Sequence, residues 1–208
     1  MVAEVLKGTL DALSIDRAHV VGASIGEVWA LRLAQRCPDR VIRIVLLGAG
    51  PLLRDVTVPR FIKLLSTPLG AIIIRLPQRP GMAHAQLRGL GHGESLDAGR
   101  MDEYVTWQVA FQRHTDSMRN ERNMVKTVAN WRGFRPGVVF DDVELAGIQQ
   151  PTLHVYGTAN PVTDLDIVKR GVDLLPNADL LLVDSGGHLP WFDDPGMVGT
   201  YVSRFLRG

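Results

Sequence analysis

Ser24 stands between two glycines in Gly22-Ala23-Ser24-Ile25-Gly26, directly after the apolar run "HVV". A serine hydroxyl attacks a carbonyl carbon only when a base removes its proton, so acyl transfer is the chemistry available to Ser24, and it requires a histidine. His188, in "DSGGHLPWFDDP", follows the apolar run "LLLVD" and two glycines, in a loop where an imidazole can swing over the end of a sheet. The remaining histidines lack that placement: His19 and His154 fall inside strand runs, and His84, His92 and His114 inside a helical region. The only "HG" pair, His92-Gly93, has no strand before it and is given no role.

A third group should hold the imidazole tautomer and stabilise the imidazolium. Where an acid would be natural, at the end of the preceding strand, "VYGTANPVTD" has Asn160. An amide oxygen can accept the imidazole N–H but cannot offset the developing charge; the corresponding Asp to Asn change in a serine protease costs about 10⁴ in kcat. Asp164, Asp166 and Asp184 are the alternatives. The first two suit a first helical turn after Thr163, and the third suits a turn that ends a strand.

These residues need a scaffold. "AHVVGAS" reads as a short strand closed by glycine and "GEVWALRLAQRC" as a helix stopping before Pro38. A sharp bend between the two pushes the serine hydroxyl outward and leaves the Ile25 N–H as an oxyanion donor; the alternative is a tight turn in which Ser24 only caps the helix. Before them, Val2 to Leu13 has one apolar helical face, and after them "RVIRIVLLGAG" reads as a strand buried on both sides. Residues 51–147 change to amphipathic helical pieces, with no convincing strand until "PGVVFDD". The alternation resumes with "PTLHVYG", "DLDIVKRGVDLLP", "ADLLLVD" and a last helix in "MVGTYVSRFLRG", giving an α/β class with a mostly parallel sheet flanked by helices.

Composition narrows the partners. Among 208 residues, 46% are hydrophobic, enough for a single domain with a real core, and 23 Lys+Arg against 22 Asp+Glu imply neither nucleic acid nor an anionic membrane. A single cysteine, Cys37, excludes an internal disulfide and a cysteine-based metal site. With no signal peptide and no apolar run near the roughly 20 residues of a span, a cytoplasmic location is expected.

The elbow "VVGASIG", the strand "RIVLLGAG", the stretch "PTLHVYGTANPV" and the terminal "GGHLPWFDDP" occur in the order found in the α/β-hydrolase superfamily. The chain resembles its lid-bearing branch of esterases, lactonases and carbon-carbon hydrolases. The resemblance implies a core from residues 1–50 and 148–208, a helical lid from 51–147, Ser24 as nucleophile, Ile25 as first oxyanion donor, His188 as base and Asn160 in the acid's place, without metal or cofactor. Trp107 and Phe111, at i and i+4, are expected to line an apolar acyl pocket with Phe61 and Tyr104. The substrate class expected is a small apolar ester, thioester or lactone.

Two departures weaken the expected activity. The chain starts at the helix that leads into the elbow, so the family's earlier strands and the loop giving the second oxyanion N–H are expected to be missing, at a cost of about 10² to 10³ in rate. The elbow strand would then be an exposed edge, for which a second copy of the chain is the economical cover. Glu27 follows the elbow glycine and either complements the helix N-terminus or, turned inward, opposes an oxyanion. A non-catalytic binding protein and a truncated fragment are the competing readings.

Overall fold

The computed structural model describes residues 2–54, 56–76 and 79–208. Four parallel strands, β1 (Ala18–Ala23), β2 (Val41–Leu47), β3 (Thr152–Gly157) and β4 (Ala178–Val183), form a sheet in the order β1-β2-β3-β4. Parallel neighbours need crossovers, and helices supply them. The chain runs α1 (Val2–Ala12), β1, α2 (Gly26–Arg36) and β2. The stretch between β2 and β3 holds α3 (Arg60–Ser66), α4 (Pro68–Ile73), α5 (Pro80–Gly89), α6 (Gly93–Asp97), α7 (Asp102–His114), α8 (Ser117–Val128) and α9 (Asp142–Ala146). After β3 come α10 (Leu165–Asp173), β4, α11 (Pro190–Asp193) and α12 (Pro195–Arg207).

Alternation along β2 explains why all its residues but Arg43 are apolar. Ile44 and Leu46 face α2, packing with Val28 and Leu31, while Val45 faces the other way with Leu153, Val155, Val183 and Val198. Both faces are covered by helices, so the successive side chains of Ile44, Val45 and Leu46 are all buried. β3 is buried at every position. β1 forms one edge of the described sheet, with Val21 exposed.

"PGVVFDD" differs from the expected strand. Pro136–Val138 is a 3-10 turn, and Phe140 makes only an isolated bridge to Leu53. Pro136 cannot donate to a ladder, and Phe140 is instead fully buried beneath the Arg32 guanidinium, 3.9 Å from its ring centre. Arg32 also donates to Glu144 and to the Val139 carbonyl, tying this segment to the elbow helix.

The helical segment has its own apolar cluster: Ala83, Leu87, Leu96, Met101, Val105 and Val109, with Leu189 and Phe192 packed against it. It therefore rests on the loop that carries His188. Among the described residues, no helix is long and apolar enough to cross a membrane.

Candidate active site

Sheet register brings the C-terminal ends of the strands together. Ser24 N–H donates to the Leu47 carbonyl at 2.9 Å, and Gly48 N–H donates to the Val155 carbonyl at 3.0 Å. Loops leaving parallel strands at this end form the crevice where α/β proteins place their chemistry.

The elbow bends because nothing stands in its way. A Cβ on Gly22 would lie 2.5 Å from the Gly26 carbonyl oxygen, so only glycine lets α2 start this close to β1. Ser24 takes φ +52°, an unfavourable conformation for a residue with a Cβ, costing about 1–3 kcal/mol. Ser14 and Ser185 share that sign of φ, so the conformation alone decides nothing. What separates Ser24 is the partner of its hydroxyl: it caps no helical amide, and its Oγ lies 2.9 Å from His188 Nε2.

The other imidazole nitrogen determines the tautomer. His188 Nδ1 is 3.1 Å from the Gly48 carbonyl oxygen, which can only accept, so Nδ1 carries the hydrogen and Nε2 is free to accept the Ser24 proton. The ring is held by its own backbone as well, through His188 N–H to the Leu90 carbonyl at 2.9 Å. Gly48 has φ +97°, and a Cβ there would sit 2.0 Å from the His188 carbonyl oxygen. Only a glycine lets the two loops approach so closely.

Asn160 stands beside this pair but does not hold the imidazole as expected. Its amide nitrogen donates to the Gly48 carbonyl, the oxygen that also accepts from His188, and its side-chain oxygen accepts from Val162 N–H at 3.0 Å. The amide turns its nitrogen to the carbonyl and its oxygen to its own loop, so Nδ1 finds its acceptor in Gly48 and not in Asn160. The alternative acids sit elsewhere: Asp164 caps α10, Asp166 is exposed beside Lys169, and Asp184 accepts from Thr158 at 3.3 Å.

Trp107 and Phe111 share a face of α7 and stack at 4.9 Å, but that face is half exposed. The buried face carries Val105 and Val109, which pack into the helical cluster. Contact with the His188 loop runs instead through Tyr104, 4.5 Å from the Phe192 ring. Phe61 is exposed as well.

Three residues that the sequence did not assign support the site. His92 is fully buried: Nδ1 meets Asp193 at 2.9 Å and Nε2 accepts Leu189 N–H at 3.1 Å, bracketing His188 between two anchors. Asp193 also accepts from Ser95 and from Gly187 N–H. Its proximity to the "GGHLP" motif and the "HG" pair were the available signals. Burial raises the Asp193 pKa, but hydrogen bonds from His92, Ser95 and Gly187 outweigh it and leave the carboxyl below its usual range. Its contribution to stability is thus present above the unfolded carboxylate value and lost as pH falls through the folded one. Asp193→Ala is expected to cost about 2–4 kcal/mol in urea unfolding at neutral pH, because three donors lose their acceptor. An unchanged midpoint would show that the cluster contributes nothing to the loop.

The third is Glu27, fully buried, whose two carboxylate oxygens accept from Ala49 N–H and Gly50 N–H, each at 2.7 Å. It is turned inward, and its partners are backbone N–H groups: it clamps the loop that carries Gly48. Burial pushes its carboxyl up to about 8, against those two hydrogen bonds.

Burial also pulls His188 down to about 4; the Gly48 hydrogen bond opposes this and nearby His92 adds to it. The imidazole is therefore neutral, and competent as a base, at all pH values above that. For a neutral ester, kcat/KM is expected to rise through an acid limb near pH 4 that is complete by about pH 6. A limb displaced toward the ordinary histidine value would mean that a carboxylate lies directly behind the ring.

Residues 2–198 match the model of the alpha/beta hydrolase family. The chain belongs to that family. Among its curated relatives, an uncharacterized protein of Mycobacterium tuberculosis is 27% identical over 97% of this chain and 59% of its own length. A 2-hydroxy-6-oxononadienedioate/2-hydroxy-6-oxononatrienedioate hydrolase of Burkholderia vietnamiensis is 30% identical over 99% of this chain and 67% of its own. The chain thus spans about three-fifths to two-thirds of these relatives. A meta-cleavage product hydrolase from Pseudomonas fluorescens shares the fold with TM-score 0.73 and 20% identity, over 99% of this chain and 70% of that one. An N-acyl homoserine lactone degrading enzyme does so with TM-score 0.69 and 24% identity, over 98% and 73%.

Proposed function

We propose that this chain carries the nucleophile and base of a serine hydrolase acting on a carboxylic ester, thioester or lactone through an acyl-enzyme. The observation that supports this most is the 2.9 Å contact between Ser24 Oγ and His188 Nε2, with the imidazole tautomer set by Gly48. As Oγ attacks the carbonyl carbon, its proton passes to Nε2 and the carbonyl π pair moves to oxygen. In this reading the Ile25 N–H, at the positive end of α2, is the first donor to that developing charge. Collapse of the tetrahedral intermediate breaks the bond to the leaving group, which takes the proton from Nε2. Water then repeats the sequence and frees Ser24. The open edge of β1 is covered, in this reading, by a strand from a second copy of the chain.

The activity of the Burkholderia vietnamiensis relative favours a second reading, in which the acyl group leaves from carbon in an oxo dienedioate. Turnover of a short-chain nitrophenyl ester with fluorophosphonate labelling at Ser24 supports the first reading. Turnover of the dienedioate alone supports the second. Ligand-dependent stabilisation without turnover, unchanged by Ser24→Ala, would mean that the site only binds.

A further inference from the structure

His188 has a carbonyl behind it where a charge would serve better, yet a buried carboxylate lies one peptide group beyond. We propose that Glu27 is a positioning residue for the Ser24–His188 pair, acting through the Gly48–Ala49 peptide, which accepts the His188 Nδ1–H on its oxygen and donates its own N–H to the Glu27 carboxylate. The inference rests on the reading of Ser24 and His188 as nucleophile and base. The contacts are continuous: Ser24 Oγ to His188 Nε2 at 2.9 Å, His188 Nδ1 to Gly48 O at 3.1 Å, and Ala49 N to Glu27 Oε1 at 2.7 Å. Gly48 C=O and Ala49 N–H belong to one resonance-coupled peptide unit, so donating the N–H to an anion draws density onto the oxygen and makes it a stronger acceptor. Gly50 N–H on the second carboxylate oxygen fixes the direction of the clamp.

No proton crosses the peptide. When Ser24 gives its proton to Nε2, the ring becomes positive and the polarised Gly48 carbonyl stabilises it; Glu27 keeps its own protonation state. The effect should therefore depend on Glu27 being ionised. The titratable groups facing Glu27 are His154, with Nε2 3.7 Å from Oε2, and Tyr156, both on β3. Burial pulls His154 down to about 3 and pushes Tyr156 up to about 12, so neither changes charge where Glu27 does, near 8. His92, which faces His188, keeps its Nδ1 hydrogen on Asp193.

The test is kcat per fluorophosphonate-titrated site, for a nitrophenyl ester at saturation, in wild type and Glu27→Gln across this pH range. In wild type, kcat should rise about threefold or more through pH 8 as the carboxylate forms. In Glu27→Gln that step should vanish, with KM within about twofold of wild type, since substrate binding is untouched. A purely structural role would lower the number of titratable sites and leave the step in place; that result, or a flat wild-type profile, overturns the proposal. Carbonyl-carbon NMR of wild type gives a readout that needs neither turnover nor a folded variant. The Gly48 carbonyl carbon and the Ala49 amide should shift with one midpoint near 8, and a static Gly48 carbonyl overturns the relay. Absence of labelling at Ser24 would instead remove the hydrolase reading, with the relay still decided by NMR.

Discussion

Ser24→Ala is expected to lower kcat for a short-chain nitrophenyl ester by about 10³-fold or more and to abolish fluorophosphonate labelling. The expectation follows from a hydroxyl whose proton has a single destination, His188 Nε2 at 2.9 Å. The loss should stay below the roughly 10⁶ seen when a complete triad loses its serine, because the imidazole here is backed by a carbonyl and the wild-type rate is correspondingly modest. Stability should change little. The substitution removes one hydrogen bond, worth about 1 kcal/mol, and leaves φ +52° as strained for alanine as for serine. Undiminished turnover with an unchanged melting temperature would move the chemistry away from the elbow.

Asn160→Asp is expected to raise kcat by about tenfold or more, a gain from a substitution that deletes a native hydrogen bond. The wild-type amide donates to the Gly48 carbonyl, the oxygen that receives the His188 Nδ1–H. A carboxylate in its place is repelled by that oxygen and can accept only from the imidazole, while its second oxygen retains the Val162 N–H. An anion beside the ring favours the imidazolium, so the acid limb should move up from near 4 toward the ordinary histidine range. The expected signature is therefore paired: faster turnover on the plateau and a more basic limb. A variant that folds and labels normally but keeps the wild-type limb would show that residue 160 cannot reach His188.

Much of this site was legible because the relevant signals are local. A strand, a serine flanked by small residues and a helix start lie within residues 18–36, and their order alone predicts the bend. His188 was legible for a related reason: two glycines after an apolar run mark a loop at the end of a strand. The contacts behind the imidazole were not legible, because they are made by backbone. The Gly48 carbonyl has no side chain to read, and its approach to His188 depends on a separation of 140 residues closing in space. Asn160 follows β3 closely in the sequence, yet residue type could not say that its amide would turn its nitrogen rather than its oxygen toward the Gly48 carbonyl. Glu27 and His92 were each noticed in the sequence, but burial decides their roles, and a charged residue in a first helical turn gives no sign of it. Trp107 and Phe111 show the limit of periodicity: i,i+4 spacing places two aromatics on one face without saying which face the cluster of Val105 and Val109 will bury.

The most direct measurement is the mass of the protein after acid quench during turnover of an activated ester, with peptide mapping of any adduct. An acyl group on Ser24, formed in wild type and lost in His188→Ala, is the expected result. Turnover with no adduct on Ser24, or an adduct that forms equally well without His188, would contradict activation of this hydroxyl by that imidazole.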